Sequence, residues 1–323
     1  MSPLPEDKDL TVLFAHVAYQ GAARAQARGL SHRLLSATNR EELDRLIPEA
    51  DVLVVSGMWR NDLPKIAPRL KLVQSYSAGT DQYDRAVFRE HGIRLASAAG
   101  ANAEAVAEHA VSLVLGIKRK LFIARDDQHK AHWSGMKADF AQREDEIAGK
   151  TAIVVGMGRI GSRLIELLKA FRMTVLGVRA NPAAGAEGAD EVHPLSAMPQ
   201  LLPRADFVVL VCPLTAETTG LMNKAAFAAM KPSAWVVNCA RGKVCDEADL
   251  IEALRARTIA GAALDVTAVE PLPADSPLWS LPNCFVTPHT AGETCAYEDN
   301  VLDLMSENIR RLRSGEPLAN QVV

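Results

Sequence analysis

Long apolar runs are missing from this chain: the longest are about the length of one strand, so no membrane span is expected. Runs of Lys and Arg are missing too, and 36 basic against 39 acidic side chains leave a formal charge of -3. Without a basic stripe there is nothing to neutralise a phosphate backbone, and nucleic acid is excluded as an expected partner. Cysteine is sparse and odd in number, with Cys212, Cys239, Cys245, Cys284 and Cys295 forming no Cys-x-x-Cys pair. Free thiols in a reducing compartment are expected, rather than a disulfide framework or a zinc site. The segment Met1–Leu10 is polar and rich in Pro and acid, unlike a signal or transit peptide, so the expected location is the cytoplasm.

What is present is a patterned chain of 323 residues, 48% apolar and 23% charged, longer than one core usually serves. Short β-branched runs alternate with helical patterns: Thr11–Ala15, Asp51–Val55, Lys71–Ser75, Thr151–Val155, Thr174–Val178, Asp206–Val211, Ala234–Asn238 and Cys284–Thr287. That alternation predicts βαβ units around parallel sheets, and the continuous apolar character of Ala152–Val155 and Phe207–Val211 predicts burial on both faces. Two longer helices are expected, from Ala103 to about Ala124 and from Glu293 to Arg313, as bridges between domains. The fold class expected is α/β: a Rossmann-type doubly wound sheet over 101–290, plus a discontinuous domain from 1–100 and 291–323.

After the apolar strand comes Gly156-Met-Gly158-Arg-Ile-Gly161, followed by a helical pattern from Ser162 to Ala170. Gly156 permits the turn, Gly158 leaves bare backbone for a pyrophosphate, and Gly161 lets the helix lie close to its strand. Free N–H groups at the helix start, around Arg159 and Ile160, suit an anion, so dinucleotide binding is expected. The end of the following strand discriminates between cofactors, because a carboxylate there accepts from the ribose hydroxyls of NAD. This chain has Arg179 in that place, in the acid-free run Val178-Arg-Ala-Asn-Pro182. A guanidinium suits a 2′-phosphate, so NADP(H) is the expected cofactor, with NAD(H) possible.

Three ionisable residues follow, each just after a strand-like run, where doubly wound folds place their sites. They are Arg241 in Val236-Val-Asn-Cys-Ala-Arg-Gly-Lys-Val244, Glu270 in Leu264-Asp-Val-Thr-Ala-Val-Glu-Pro-Leu272, and His289 in Val286-Thr-Pro-His-Thr-Ala-Gly292. Together with Ser75-Tyr-Ser-Ala-Gly79, Val106-Ala-Glu108, the glycine motif and Val211-Cys-Pro-Leu-Thr215, these segments resemble the D-isomer-specific 2-hydroxyacid dehydrogenases from about Val73 to Gly292. The ordered Arg, Glu and His set is far more particular than the glycine motif.

The resemblance implies a flavodoxin-like second domain and hydride exchange between NAD(P)H and a small 2-keto or D-2-hydroxy acid. Charge left on a keto oxygen needs a proton donor and a fixed cation beside it. By resemblance His289 is acid and base, Glu270 orients its ring, and Arg241 holds the carboxylate and carbonyl of the substrate. Backbone N–H groups at Ser77, Ala78 and Gly79 are implied to bind the substrate carboxylate. Asp265, with the carbonyl of Cys239 or Ala240, is implied to hold the nicotinamide carboxamide, and Cys212, Pro213 and Thr215 to line the cofactor. A homodimer paired through the helix from Ala103 onward is implied as well.

Other residues carry less. His129 and His132 stand three apart without a third ligand, so no metal site is expected, and His109 reads as a packed or capping residue. Tyr76 and Trp279 are open between substrate side and core. Within the class, glyoxylate or hydroxypyruvate would suit both a small polar substrate and NADPH, and bulkier keto acids stay open. Phosphite oxidation and a non-catalytic, corepressor-like nucleotide sensor are the alternatives, and formate oxidation is disfavoured because it needs no proton donor to a carbonyl.

Overall fold

The computed structural model describes residues 4–323; Met1–Pro3, the first residues of the Met1–Leu10 segment discussed above, lie outside it. The chain divides into two compact α/β units, one of Met1–Asn102 with Thr294–Val323 and one of Ala103–Glu293. Among the described residues, no helix is long and apolar enough to cross a membrane.

The first unit holds a parallel five-stranded sheet: β1 (Thr11–Ala15), β2 (Arg33–Ala37), β3 (Val52–Val55), β4 (Leu72–Ser75) and β5 (Arg94–Ala96), in the flavodoxin-like order β2-β1-β3-β4-β5. Alternation assigns side chains to the two faces: Val12, Phe14, Val52 and Val54 join one core cluster, Leu13, Ala15, Leu53 and Val55 the other. The helix Tyr297–Ser314 completes this unit and buries Val301, Leu302, Met305 and Ile309 against the first of those clusters. It starts at Tyr297 rather than Glu293, with Glu298 and Asp299 in its first turn, and stops at Gly315 in the left-handed region.

The second unit holds seven parallel strands: β6 (Thr151–Val155), β7 (Thr174–Val178), β8 (Glu191–His193), β9 (Phe207–Leu210), β10 (Trp235–Asn238), β11 (Gly261–Leu264) and β12 (Cys284–Val286). Their order, β12-β11-β10-β9-β6-β7-β8, is that of a doubly wound Rossmann-type sheet with a reversal between β6 and β9. Both faces are covered, one by a cluster with Ile153, Val155, Val208 and Leu264, the other by one with Val154, Val209, Val237 and Ala263. The helix expected to run from Ala103 to about Ala124 is two helices, Ala103–Lys118 and Leu121–His129, broken where Lys120 adopts φ 52. The first of these packs against the helix Arg159–Ala170 and buries Val106, Ala107, Ala110, Val111 and Val114. Its apolar face is therefore already covered by its own unit.

Candidate active site

Parallel strands send all their C-terminal ends to one edge, and in the second unit that edge collects the loops after β6, β7, β9, β10, β11 and β12. The three glycines after β6 differ in what a side chain would meet. Gly156 takes φ 102 and a Cβ there would come within 2.7 Å of the Cys212 backbone, so the turn needs glycine for conformation and for space. At Gly161 a Cβ would sit 1.8 Å from the Gly156 carbonyl oxygen, which is what lets the helix Arg159–Ala170 start so close to β6. At Gly158, the N-cap of that helix, a Cβ would meet nothing within 4 Å. Open space before a helix N-terminus, with Arg159 exposed and Ile160 half-buried, fits a pyrophosphate.

The loop after β9 is closed by Thr218, a side chain with no motif to mark it. Thr218 accepts from the Thr215 N–H at 2.7 Å and donates to the Pro213 carbonyl at 2.7 Å, which fixes Pro213 and Thr215 opposite the glycine turn. Cys212 and Cys239 are buried, and burial drives the Cys212 thiol up to about 11 and that of Cys239 further. A raised thiol pKa keeps both protonated and works against a nucleophilic role.

After β7, Arg179 is mostly covered, and its guanidinium donates to the Gly185 carbonyl at 3.1 Å. The run Val178–Pro182 holds no acid, but the fold returns one: Glu187 Oε1 lies 3.5 Å from the same guanidinium nitrogen.

The three ionisable residues lie on adjacent loops. His289 Nδ1 and Glu270 Oε2 are 2.6 Å apart, and Glu270 Oε1 accepts from the Thr267 N–H at 3.0 Å, so the carboxylate is anchored on one oxygen and faces the ring with the other. Both side chains are part-exposed. Arg241 ends the loop after β10, which reaches the Glu270 loop through its neighbour: a Cβ on Gly242 would stand 2.0 Å from the Thr267 carbonyl. Glu247 closes the same junction by accepting from the Ala268 N–H at 2.8 Å. The Arg241 guanidinium donates to the Ala240 carbonyl at 2.7 Å and, among the described residues, pairs with no carboxylate. An exposed guanidinium without a carboxylate partner, on the loop next to a carboxylate–imidazole pair, leaves its remaining donors for an anion.

His289 itself has φ 54, a conformation that costs a non-glycine residue energy and must be held. Asp265 holds it. Its backbone carbonyl accepts from the His289 N–H at 2.8 Å, and its buried carboxylate accepts from the Thr287 hydroxyl at 2.6 Å and from the N–H groups of Thr290 and Ala291, both at 3.0 Å. His109 Nε2 lies 3.1 Å from Thr287 Oγ1 and 3.6 Å from Asp265 Oδ1, so a residue read as packed or capping touches the support of this loop. Nothing in the spacing announces it, since 178 positions separate His109 from Thr287.

In the first unit, the turn after β4 has Ser77 N–H already committed to Ser75 Oγ at 2.9 Å. Among the described residues the N–H groups of Ala78 and Gly79 meet no acceptor. Tyr76 is buried and belongs to the core of that unit, while Trp279 is exposed in the other. Among the described residues, no group of three or more His, Cys, Asp or Glu side chains is disposed to hold a metal.

Comparison with known proteins agrees with this layout. Residues 111–291 match the model of the D-isomer specific 2-hydroxyacid dehydrogenase NAD binding domain. D-3-phosphoglycerate dehydrogenase of Archaeoglobus fulgidus is 35% identical over 91% of this chain and 55% of its own length. The chain thus spans about half the length of the phosphoglycerate dehydrogenases it matches. Glyoxylate reductase of Thermofilum pendens is 32% identical over 86% of this chain and 83% of its own. A D-isomer specific 2-hydroxyacid dehydrogenase family protein from Aeromonas salmonicida superposes with a TM-score of 0.84 at 30% identity, over 98% of this chain and 99% of that one.

Proposed function

This chain belongs to the D-isomer specific 2-hydroxyacid dehydrogenase family, and we propose that it is an oxidoreductase exchanging hydride between a nicotinamide dinucleotide and a small 2-keto or D-2-hydroxy acid. The observation that carries the reading is the 2.6 Å His289–Glu270 pair with Arg241, which pairs with no carboxylate among the described residues, on the neighbouring loop of the sheet edge that bears the Gly158 cradle. A nicotinamide dinucleotide bound along that edge supplies or accepts the hydride.

The chain's own groups do the rest. His289 gives its Nε2 proton to the keto oxygen in reduction and removes it from the hydroxyl in oxidation. Glu270 fixes the ring through Nδ1, so that Nε2 is the nitrogen left for substrate. Arg241 offers a planar fork to carboxylate and carbonyl and stabilises the oxygen on which charge develops. The part of Ser77, Ala78 and Gly79 in carboxylate binding rests on the resemblance; Ala78 and Gly79 have the N–H groups free for it. Asp265 keeps His289 in place; its part in holding the nicotinamide carboxamide, with the carbonyl of Cys239 or Ala240, rests on the resemblance. Arg159, Ile160, Pro213 and Thr215 line the cofactor.

Arg179 favours NADP(H) over NAD(H), and small acids such as glyoxylate or hydroxypyruvate are the favoured substrates. The test is a steady-state screen of 2-keto acids with each reduced cofactor, repeated with Arg179→Asp. Turnover of a keto acid with a higher kcat/KM for NADPH is expected. No turnover across the panel sinks the catalytic reading, and a wild-type preference for NADH sinks the cofactor assignment.

We assign a homodimer as the working form. The helix from Ala103 buries its apolar face within its own unit, whereas Trp133, Met136 and Phe140, in the segment after Leu121–His129, are almost fully exposed. Three large apolar side chains this exposed within eight positions are the surface we offer for it. A monomer by light scattering at micromolar concentration would overturn the assignment.

A further inference from the structure

We propose that Glu187 sets how strongly Arg179 selects a phosphorylated nucleotide, by holding the guanidinium in place of a 2′-phosphate. The inference rests on the reading of Arg179 as the residue facing the adenosine ribose. Arg179 follows β7 and, among the described residues, its side-chain partners are the Gly185 carbonyl at 3.1 Å and Glu187 Oε1 at 3.5 Å, both on one short loop. A fork of five donors is thus turned toward a carbonyl and a carboxylate of its own chain.

The loop is built unusually. Gly185 has φ 127, Gly188 has φ 86, and Glu187 between them has φ 49, in the left-handed region that a side-chain-bearing residue seldom occupies. Two glycines flanking a strained glutamate give a segment that turns back on the β7 end and can release by small changes at its hinges. The Glu187 side chain is 40% exposed, so its carboxylate has solvent to enter when displaced.

The two cofactors meet this pair differently. A 2′-phosphate competes with the Glu187 carboxylate for one cation, so part of the gain from Arg179 is offset by breaking the existing pair and by repulsion between the anions. A ribose with free hydroxyls needs no displacement, and a carboxylate beside it is an acceptor for them. The residue at the β7 end therefore favours NADPH, the loop carboxylate favours NADH, and the preference is the difference between them.

The test is a direct titration of NADPH and NADH onto the full chain, read by nicotinamide fluorescence, for wild type, Glu187→Gln, Arg179→Ala and the double variant. Glu187→Gln is expected to lower the NADPH Kd about tenfold and raise the NADH Kd roughly threefold, the range of one charge-assisted contact. In the Arg179→Ala background the NADPH gain should shrink below about threefold, because the carboxylate acts through the guanidinium. A ratio of the two Kd values unmoved by Glu187→Gln, with both nucleotides bound, overturns the inference alone, as does a full NADPH gain without Arg179. Failure of wild type to bind either nucleotide overturns the cofactor reading beneath it.

Discussion

Asp206 and Asp265 stand at opposite edges of the same seven-stranded sheet, and each satisfies backbone N–H groups of a neighbouring segment. Asp206 accepts from the Thr151 N–H at 2.8 Å and from Lys231 at 2.9 Å, at the edge where strands begin. The first unit repeats the device: Asp51 accepts from the Thr11 N–H at 2.9 Å and pairs with Arg69 at 2.9 Å. A device that recurs in both sheets, far from the loops after the strands, serves the architecture. Asp265 spends its oxygens on Thr287, Thr290 and Ala291, the residues that bracket His289 in its left-handed conformation. The same chemistry closes a strand at one edge and sustains a strained loop at the other. Carboxylate type alone does not separate these tasks; the conformation of the segment it holds does.

The sharpest way to break the comparison is at the residue that the strained loop presents. His289→Asn should lower kcat by about a thousandfold, the range of a lost general acid, while nucleotide Kd stays within about twofold. Equal loss of binding and turnover would mean that the loop shapes the cofactor cradle instead. Next come two glycines with opposite surroundings. Gly158→Ala should raise nucleotide Kd by about tenfold or more at unchanged Tm, since its Cβ enters only the open space in front of the helix. Gly242→Ala should cost about 3 kcal/mol of stability, because its Cβ has the Thr267 carbonyl at 2.0 Å. Denaturant titration beside nucleotide titration separates them, and a destabilised Gly158→Ala would refute the cradle.

Asp265→Asn is the third test, and a smaller one. Exchanging an acceptor for an NH2 group opposite N–H donors should cost about 2 kcal/mol and lower kcat more than it raises the KM of the keto acid. Unchanged kcat in a destabilised variant would place Asp265 with Asp206, as architecture only.

Much of this was legible beforehand, and the gaps have physical causes. The strands rich in Val, Leu and Ile, β1, β3, β4, β6, β7, β9, β10 and β12, stand where the pattern put them, to within a residue or two. The strands without a readable apolar run are edge segments, Arg33–Ala37, Arg94–Ala96 and Glu191–His193, whose polar residues are exposed or half-buried, and one interior strand, Gly261-Ala-Ala-Leu264. At its first position the Trp235 ring leaves room for glycine alone, lying 2.3 Å from where a Gly261 Cβ would be. Arg241 and His289 were visible because each follows a readable strand, and Glu270 because it stands between them in the ordered Arg, Glu and His set. Glu187 and His109 were not, since what gives them meaning is a loop with three positive φ angles in one case and a helix-to-loop contact in the other.

The smallest effect expected is at the architectural edge, and its pH dependence has a definite sign. Burial acts to raise the carboxyl of Asp206, but the Thr151 N–H and Lys231 outweigh it and hold the group below the ordinary range. A depressed native pKa means that the folded state releases this proton more readily than the unfolded chain. The stabilisation is therefore complete above the unfolded value of about 4 and is lost as pH falls through the lower native value. Asp206→Asn keeps an acceptor for Thr151 and loses the charge, so at neutral pH it should cost only about 0.5–1 kcal/mol. Urea midpoints of wild type and variant should differ by a constant amount from about pH 5 upward and converge on acidification. A gap that persists into acid would assign the contribution of Asp206 to the hydrogen bond rather than to its charge.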